Sequence, residues 1–439
     1  MLANKERMSD LSKQLDQLRE RISRIEQRDQ RDGREQVDGD QPQPVSEGHN
    51  HAAVGSLLFG RRVELADRNP AQGREVETEF GRHWELERNW PAHYSHGLSD
   101  VGALNEIPAD IFSSLGGDDP IEAPPGRWAF LDTETTGLAG GSGTVAFLVG
   151  IGVISASGFD LKQYFLREPA EEASMLSRLA DDLAEFDVLV TYNGKSFDVP
   201  LLETRFTMNR RKAPFHRLKH VDLLYGARRL WRLKLESCRL QELEKRILGH
   251  ERVGDVGGGF IPNLYFDYLR NGDAAPLEPV LYHNAIDILS LACLTAIIPQ
   301  AIQQPERLKH GEELTGLARW FRNEDRLEEA SSLMQLALKK PMRDELVWET
   351  LWQLAGIERK LGRHDAALAG WSELSTVANP YQAQAFERLA MHYERREKNA
   401  ALALEFTLAA LAITRSPELE KRQARLAAKV SRPSSGRLL

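Results

Sequence analysis

The stretch that most restricts what this chain can fold into is Trp128-Ala-Phe-Leu-Asp132-Thr-Glu134-Thr-Thr-Gly137. The apolar run from Trp128 to Leu131 predicts a buried strand. Strand side chains alternate between faces, so Asp132 and Glu134, two residues apart at the strand end, point the same way. Like charges on one face repel unless a cation lies between them. Hard divalent cations such as Mg²⁺ take oxygen ligands, and a nuclease site adds the phosphates of its substrate. Alone, the pair reads equally well as a solvated strand end, and the other motifs must decide.

A chain of 439 residues has room for about two to four domains. Its 41% hydrophobic and 28% charged content fits a soluble globular protein. With a net charge of -8 the bulk carries no nucleic-acid signal, so any basic site must be local. The cysteines are Cys238 and Cys293 alone. That argues against a disulfide framework or a Cys-ligated zinc site and suits a reducing cytosol, so a cytoplasmic location is expected. The N-terminus is too polar for a signal peptide, and no membrane span is expected. The longest apolar candidate, 286–302, is interrupted by Ser290, Thr295 and Pro299.

Met8, Leu11, Leu15, Leu18, Ile22 and Ile25 form a heptad seam within residues 1–27. It predicts a short coiled coil that self-associates, or an amphipathic helix docked elsewhere. Residues 28–50 read as a disordered linker. Residues 51–126 form a small mixed N-terminal region with a strand and turn at Val76–Gly81, closed by Pro124-Pro125-Gly126. His83, His93 and His96 there are read as turn and packing residues, since no carboxylate or cysteine sits at ligand spacing.

The central domain is placed at 127–305. Gly137, Gly140, Gly141 and Gly143 lack the Lys-Ser/Thr of a P-loop, so they are read as admitting a substrate backbone or neighbouring strand. Strands are expected at 145–154, 159–165 and 188–192, and an amphipathic helix at 171–185 with Met175, Leu176, Leu179 and Leu183 on one side. The pattern indicates a mixed sheet flanked by helices. Residues 205–234 carry ten Lys/Arg against one acid, Asp222, interleaved with Phe206, Phe215, Tyr225 and Trp231. This is either a single-strand groove of cations and stacking rings or a solvated face over core aromatics. Thr135, Asn193, Lys195, Arg210, Arg211, Lys212, Arg228 and Arg229 are the expected nucleic-acid contacts. A long helix over 277–298 puts His283 and Asp287 on one face, with Tyr282 more to the side.

From 308 to 415 the pattern is all-helical. Arg326-Leu-Glu-Glu-Ala330, Arg363-His-Asp-Ala-Ala367 and Glu397-Lys-Asn-Ala-Ala401 recur 37 and 34 residues apart, which suggests tetratricopeptide-like hairpins. Residues 416–439 are read as a helix end and disordered tail.

Asp132, Glu134, Asp198 and Asp287 share one logic. Together they suit two divalent ions, Mg²⁺ or Mn²⁺, that activate water and stabilise the leaving oxygen of a phosphodiester. His283, one turn before Asp287, is placed to position or deprotonate that water.

Phe130-Leu-Asp-Thr-Glu-Thr-Thr-Gly-Leu138, the stretch from Gly140 to Gly150, Tyr192-Asn-Gly-Lys-Ser-Phe-Asp198, His220-Val-Asp-Leu-Leu224 and Leu281-Tyr-His-Asn-Ala-Ile-Asp287 carry a resemblance. In this order they resemble the DEDD exonucleases of the ribonuclease H-like fold, and more closely the bacterial YprB-type domain. The resemblance covers about residues 127–300, weakly reaching upstream to about 73. It implies two-metal 3′→5′ exonuclease chemistry with Asp132, Glu134, Asp198 and Asp287 as ligands. The chain departs from the superfamily in one place. The water-orienting residue there is a Tyr four before the last Asp or a His five before it, whereas here His283 is four before and Tyr282 five. Helix geometry makes His283 the base and Tyr282 its understudy. Asp222 either adds a carboxylate or buttresses a basic neighbour.

The expected fold class is α/β, a ribonuclease H-like mixed sheet flanked by helices, followed by all-α repeats that recruit a protein partner. The leading function is a metal-dependent nuclease acting on DNA or RNA. The alternative is a non-catalytic nucleic-acid-binding scaffold, and a third is cleavage of small nucleotides.

Overall fold

The computed structural model of the chain describes residue 70 and residues 73–106, 121–137 and 143–431. The expected heptad helix, the linker at 28–50, Gly140, Gly141 and the tail beyond 431 lie outside the described residues. The described residues divide into two compact units, with the boundary between Gln304 and Pro305.

The first unit is built on a seven-stranded sheet, order β1-β2-β7-β6-β5-β8-β9. β1 (Gly73–Thr78) and β2 (Gly81–Pro91) form a hairpin. Gly81 at its turn has φ +113°, a conformation open to glycine. β3 (Ser95–His96) and β4 (Ser99–Asp100) make a separate small ribbon. β5 (Trp128–Thr135), β6 (Ala146–Ser155) and β7 (Gly158–Phe165) pair antiparallel in sequence order. β8 (Val188–Thr191) and β9 (Lys219–Asp222) extend the other side of β5 in parallel. β8 is buried at every position, as parallel strands covered on both faces are. β2 pairs with β7 from Trp84↔Phe165 to Pro91↔Gly158. The region read as a small N-terminal part thus gives two strands to the same sheet.

Helix α1 (Glu172–Leu183) lays Met175, Leu176, Leu179 and Leu183 against the sheet, each 0% exposed. Burying such a side chain is worth about 1.5–3 kcal/mol. α2 (Asp198–Met208) and α3 (Leu223–Trp231) follow β8 and β9. After the short α4 (Leu240–Leu243) and α5 (Ile261–Asn271) comes α6 (Glu278–Gln303). The helical stretch Ala275–Gln303 is long and apolar enough to cross a membrane, but 78% of its apolar window is buried. It packs on β5 and β6 as a core helix. Ser290 and Thr295 do not interrupt it, because Ser290 meets His96 at 2.8 Å and Thr295 donates to the Leu291 carbonyl at 2.7 Å. The helix also runs through Pro299.

The second unit is all-helical among its described residues. α7 (Gly311–Asn323) packs with α8 (Leu327–Ala337), α9 (Asp344–Lys360) with α10 (His364–Thr376), and α11 (Gln382–Arg395) with α12 (Ala400–Ile413). α13 (Pro417–Val430) closes on α12. Each hairpin turns through a left-handed residue, Asp325, Gly362 and Lys398, spaced 37 and 36 apart. Three residues into each second helix sits an alanine, Ala330, Ala367 or Ala403, each 0% exposed, where the helices meet. The last step of the repeat is therefore 36 residues rather than the 34 read from the sequence, which paired Glu397 instead of Lys398 and Asn399 with the earlier turns.

Candidate active site

β5, β8 and β9 run parallel, so their C-terminal ends open on one side of the sheet, where ligands of open α/β sheets bind. Asp132 and Glu134 end β5, Asp198 opens α2 after β8, and Asp287 lies on α6. Asp132 pairs with Gly150 on β6, and Gly150 with Gln163 on β7. A Cβ at Gly150 would stand 2.4 Å from Asn284 Oδ1 and 2.3 Å from Ile288 Cδ1. Glycine there lets α6 settle onto the strand row. Asn284 then donates to Asp132 Oδ2 at 2.9 Å and to its carbonyl at 3.2 Å, while Gln163 donates to Asn284 Oδ1 at 2.8 Å. Of the glycines read as admitting a close neighbour, a Cβ at Gly143 would meet nothing within 4 Å and one at Gly137 would lie 3.8 Å from the Thr144 hydroxyl.

Thr133 donates to Asp198 Oδ1 at 2.5 Å. Burial, then the charges of Asp287, Asp198 and Glu134, push the Asp132 carboxyl well above its usual range. Burial and then Asp287, Asp198 and Asp255 do the same to Glu134, with Arg252 pulling the other way. Asp198 is raised to about 6 by burial, with the Thr133 hydroxyl opposing. The four acids therefore act on one another as a single electrostatic cluster.

His283 Nε2 lies 3.9 Å from Glu134 Oε1 and 3.7 Å from Asp287 Oδ2, and its Nδ1 is 2.8 Å from Asp255 Oδ1. The histidine expected as base thus faces two of the acids. Burial raises the Tyr282 phenol, with the charge of Arg252 opposing and those of Asp255, Tyr94 and Glu244 adding to the rise.

Three neighbours were not singled out from the sequence: Arg252, Asp255 and Glu244. Arg252 is 7% exposed in its side chain and bonds Asp287, Glu244 at 2.5 and 2.6 Å, and Asp255 at 3.2 Å. Burial disfavours its charge, but bonding to Glu244 and Asp287 outweighs that and holds the guanidinium above its usual range. As the side chains stand, no three His, Cys, Asp or Glu among the described residues converge as a metal cage. Arg252 is the cation within the cluster.

Asp222 is a buttress. It accepts from the backbone amides of Asn193 at 2.7 Å, Lys195 at 3.1 Å and Leu224 at 3.1 Å, capping α3. Those bonds hold the turn that delivers Asp198, in which Asn193 takes φ +65°.

The basic stretch divides. Lys195 lies 5.9 Å over the exposed Tyr225 ring, and Arg228, on the same helix as Tyr225, acts on Tyr192 and Cys238. These sit at the acidic end of the sheet; Arg229 is exposed beside Arg228 on α3, and Thr135 donates to the Gly137 carbonyl at 2.9 Å. Arg210, Arg211 and Lys212 follow the far end of α2. Arg211 is fixed over Phe80 at 4.2 Å and donates to Ser177 at 3.0 Å. An 11-residue helix, about 16 Å long, separates them from Asp198. Of the two readings of this stretch, Phe206, Phe215 and Trp231 follow the second, a solvated face over core aromatics, because all three are buried. Arg205 is likewise spent on Glu172, at 2.6 and 2.7 Å.

A model described as the RNase_H superfamily matches residues 129–298. YprB of Bacillus subtilis (strain 168), a protein described as uncharacterized, is 32% identical over 352 residues, 78% of this chain and 84% of that one. The matched span holds all four acids, His283 and Arg252. On these grounds the chain belongs to the YprB family and carries a domain of the ribonuclease H superfamily.

Proposed function

We propose that the chain is a divalent-metal-dependent nuclease, a 3′→5′ exonuclease on DNA or RNA, working in the cytoplasm. The carrying observation is the set Asp132, Glu134, Asp198 and Asp287 at one sheet end, where burial raises the first three carboxyls and the charges of Asp287 and Asp198 raise Asp132 and Glu134 further. Such a cluster holds a net charge comfortably only with cations among its oxygens. The donors are all hard oxygens, which fits Mg²⁺ or Mn²⁺. Asp132, Glu134, Asp198 and Asp287 would hold two such ions, whose chemistry is to acidify water and to stabilise charge on a phosphodiester.

The chain's own residues supply the rest. Asn284 fixes Oδ2 of Asp132 and Thr133 fixes Oδ1 of Asp198. His283 Nε2, beside Glu134 and Asp287, takes the proton of the attacking water. Asp255 holds the opposite ring nitrogen. Lys195 and Arg228 draw the polyanion toward the sheet end, and Arg252, bonded to Asp287, would have to share that carboxylate with any ion it held. The helical repeats are read as tetratricopeptide-like and as the part that recruits a protein partner.

A scaffold without catalysis has one observation in its favour: Arg252 already pairs with Asp287. Cleavage of labelled single- and double-stranded DNA and RNA with Mn²⁺ or Mg²⁺, 3′- and 5′-blocked, separates the readings. Metal-dependent loss of 3′ nucleotides is expected; no cleavage of any substrate with either metal gives the scaffold reading.

A further inference from the structure

The helical unit carries a second charged surface, independent of the acidic site. Two adjoining hollows of about 320 and 340 Å³ share Arg359, Lys360, Trp371 and Arg388 as walls. The first adds Arg322 and Trp352, the second Arg395 and Arg396. Among the described residues no acid lines either hollow, in a chain of net charge -8. Of the nearby acids, Glu349 pairs with Arg319 at 2.7 Å, Glu397 with His392 at 3.4 Å, and Glu387 acts on Arg388.

The cations follow the repeat. Arg322, Arg359 and Arg395 each occupy the last turn of the first helix of a hairpin. They step by 37 and 36 residues, as the left-handed turns do. One repeat after another thus presents an arginine to the same groove. Trp352, half-buried, stacks on Tyr381 at 5.7 Å and 17°, and the Arg388 guanidinium lies 6.0 Å from its ring. Gly356 lines the groove in mid-helix, and a Cβ there would meet nothing within 4 Å. Packing does not require glycine at that point, although glycine weakens a helix interior. Its absence of side chain keeps the groove floor open.

We propose that this groove binds a segment of single-stranded nucleic acid, with phosphates on the arginine ladder and bases against Trp352. A row of cations at fixed spacing matches a polyanion, and a stacked indole beside a guanidinium offers a platform that any base can use. An acidic peptide matches the cations but has no use for the ring or the open floor.

The test uses the full chain in EDTA, so that cleavage plays no part, and a fluorescein-labelled oligothymidylate of about twenty nucleotides. Anisotropy is read against KCl for wild type and for the triple variant Arg359→Ala, Lys360→Ala, Arg396→Ala. The dissociation constant is expected to rise about tenfold or more. The slope of log Kd against log salt should flatten by about 2, for three lost phosphate contacts on a single strand. Ultraviolet cross-linking to wild type should mark peptides containing Trp352 or Tyr381, which decides the matter if the variant is unstable. Unchanged affinity and slope in a folded variant, or cross-links confined to residues before 305, overturns the proposal. So does polyglutamate that binds tighter than the oligonucleotide and displaces it, which assigns the groove to an acidic protein. Loss of binding in the variant supports the groove even if wild type cleaves nothing, an outcome that removes only the nuclease reading.

Discussion

The acids at the sheet end and the arginines of the helical repeats are both clusters of like charge, held in opposite ways. Asp132, Glu134 and Asp198 are pressed together inside the fold, and burial raises their carboxyls. Arg359, Lys360, Arg395 and Arg396 stand exposed on helix ends, where water and salt screen them. A buried cluster needs a rigid shell and a counter-charge even without substrate, and Asn284, Thr133 and Arg252 provide them. An exposed one needs nothing until its ligand arrives. Substitutions of the charges in the first should therefore change chemistry and stability together, and removal of charges from the second should change binding alone.

The largest effect is expected for Asp132→Asn, which should abolish cleavage and leave oligonucleotide binding nearly unchanged. If single-turnover cleavage persists at the wild-type rate, the acidic cluster is not the catalytic one. His283→Ala should slow single-turnover cleavage by about 10²- to 10⁴-fold, as loss of a general base does. Tyr282→Phe should do less, since five residues before Asp287 it stands to the side of the helix face that carries His283; an equal loss would exchange their roles.

Stability offers a smaller and independent reading. Asp198 is raised to about 6, against about 3.9 in an unfolded chain. The native state thus holds its proton more tightly, so stability is lost as pH rises from about 4 through 6. Metal-free Asp198→Asn should therefore gain melting temperature relative to wild type as pH climbs through that window. A pH-independent difference would show that the cluster is not under charge stress. Gly150→Ala should cost about 1–3 kcal/mol by forcing Asn284 and Ile288 off the strand row, measured by denaturant unfolding. The smallest effect belongs to the other region. Gly356→Ala should stabilise the protein by about 0.5–1 kcal/mol while weakening oligonucleotide binding, opposite signs that a purely structural glycine would not give.

The acidic set was legible because each member stands on a regular element. Strand alternation pairs Asp132 with Glu134, and helical spacing pairs His283 with Asp287. Arg252, Asp255 and Glu244 escaped because their pairing is set by the irregular segment after Gly249, where charge in the sequence carries no period. The basic stretch misled because nearness along the chain is not nearness in space. Arg205 and Arg211 follow α2 away from the acids, and Phe206, Phe215 and Trp231 turn inward. Lys195 and Arg228 are accordingly expected to matter more for substrate affinity at the sheet end than Arg210 or Lys212. The arginine ladder was hidden for the converse reason: its members lie a full repeat apart, and only the stacked hairpins bring them to one groove.

The central claim is that the acids at the sheet end hold divalent cations. Titrating Mn²⁺ calorimetrically into the metal-free full chain and into Asp132→Asn at neutral pH tests it most directly. About two ions bound per wild-type chain are expected, with a rise in melting temperature on binding and loss of at least one ion in the variant. Neither heat nor thermal shift in wild type, or identical isotherms for the two proteins, would contradict it.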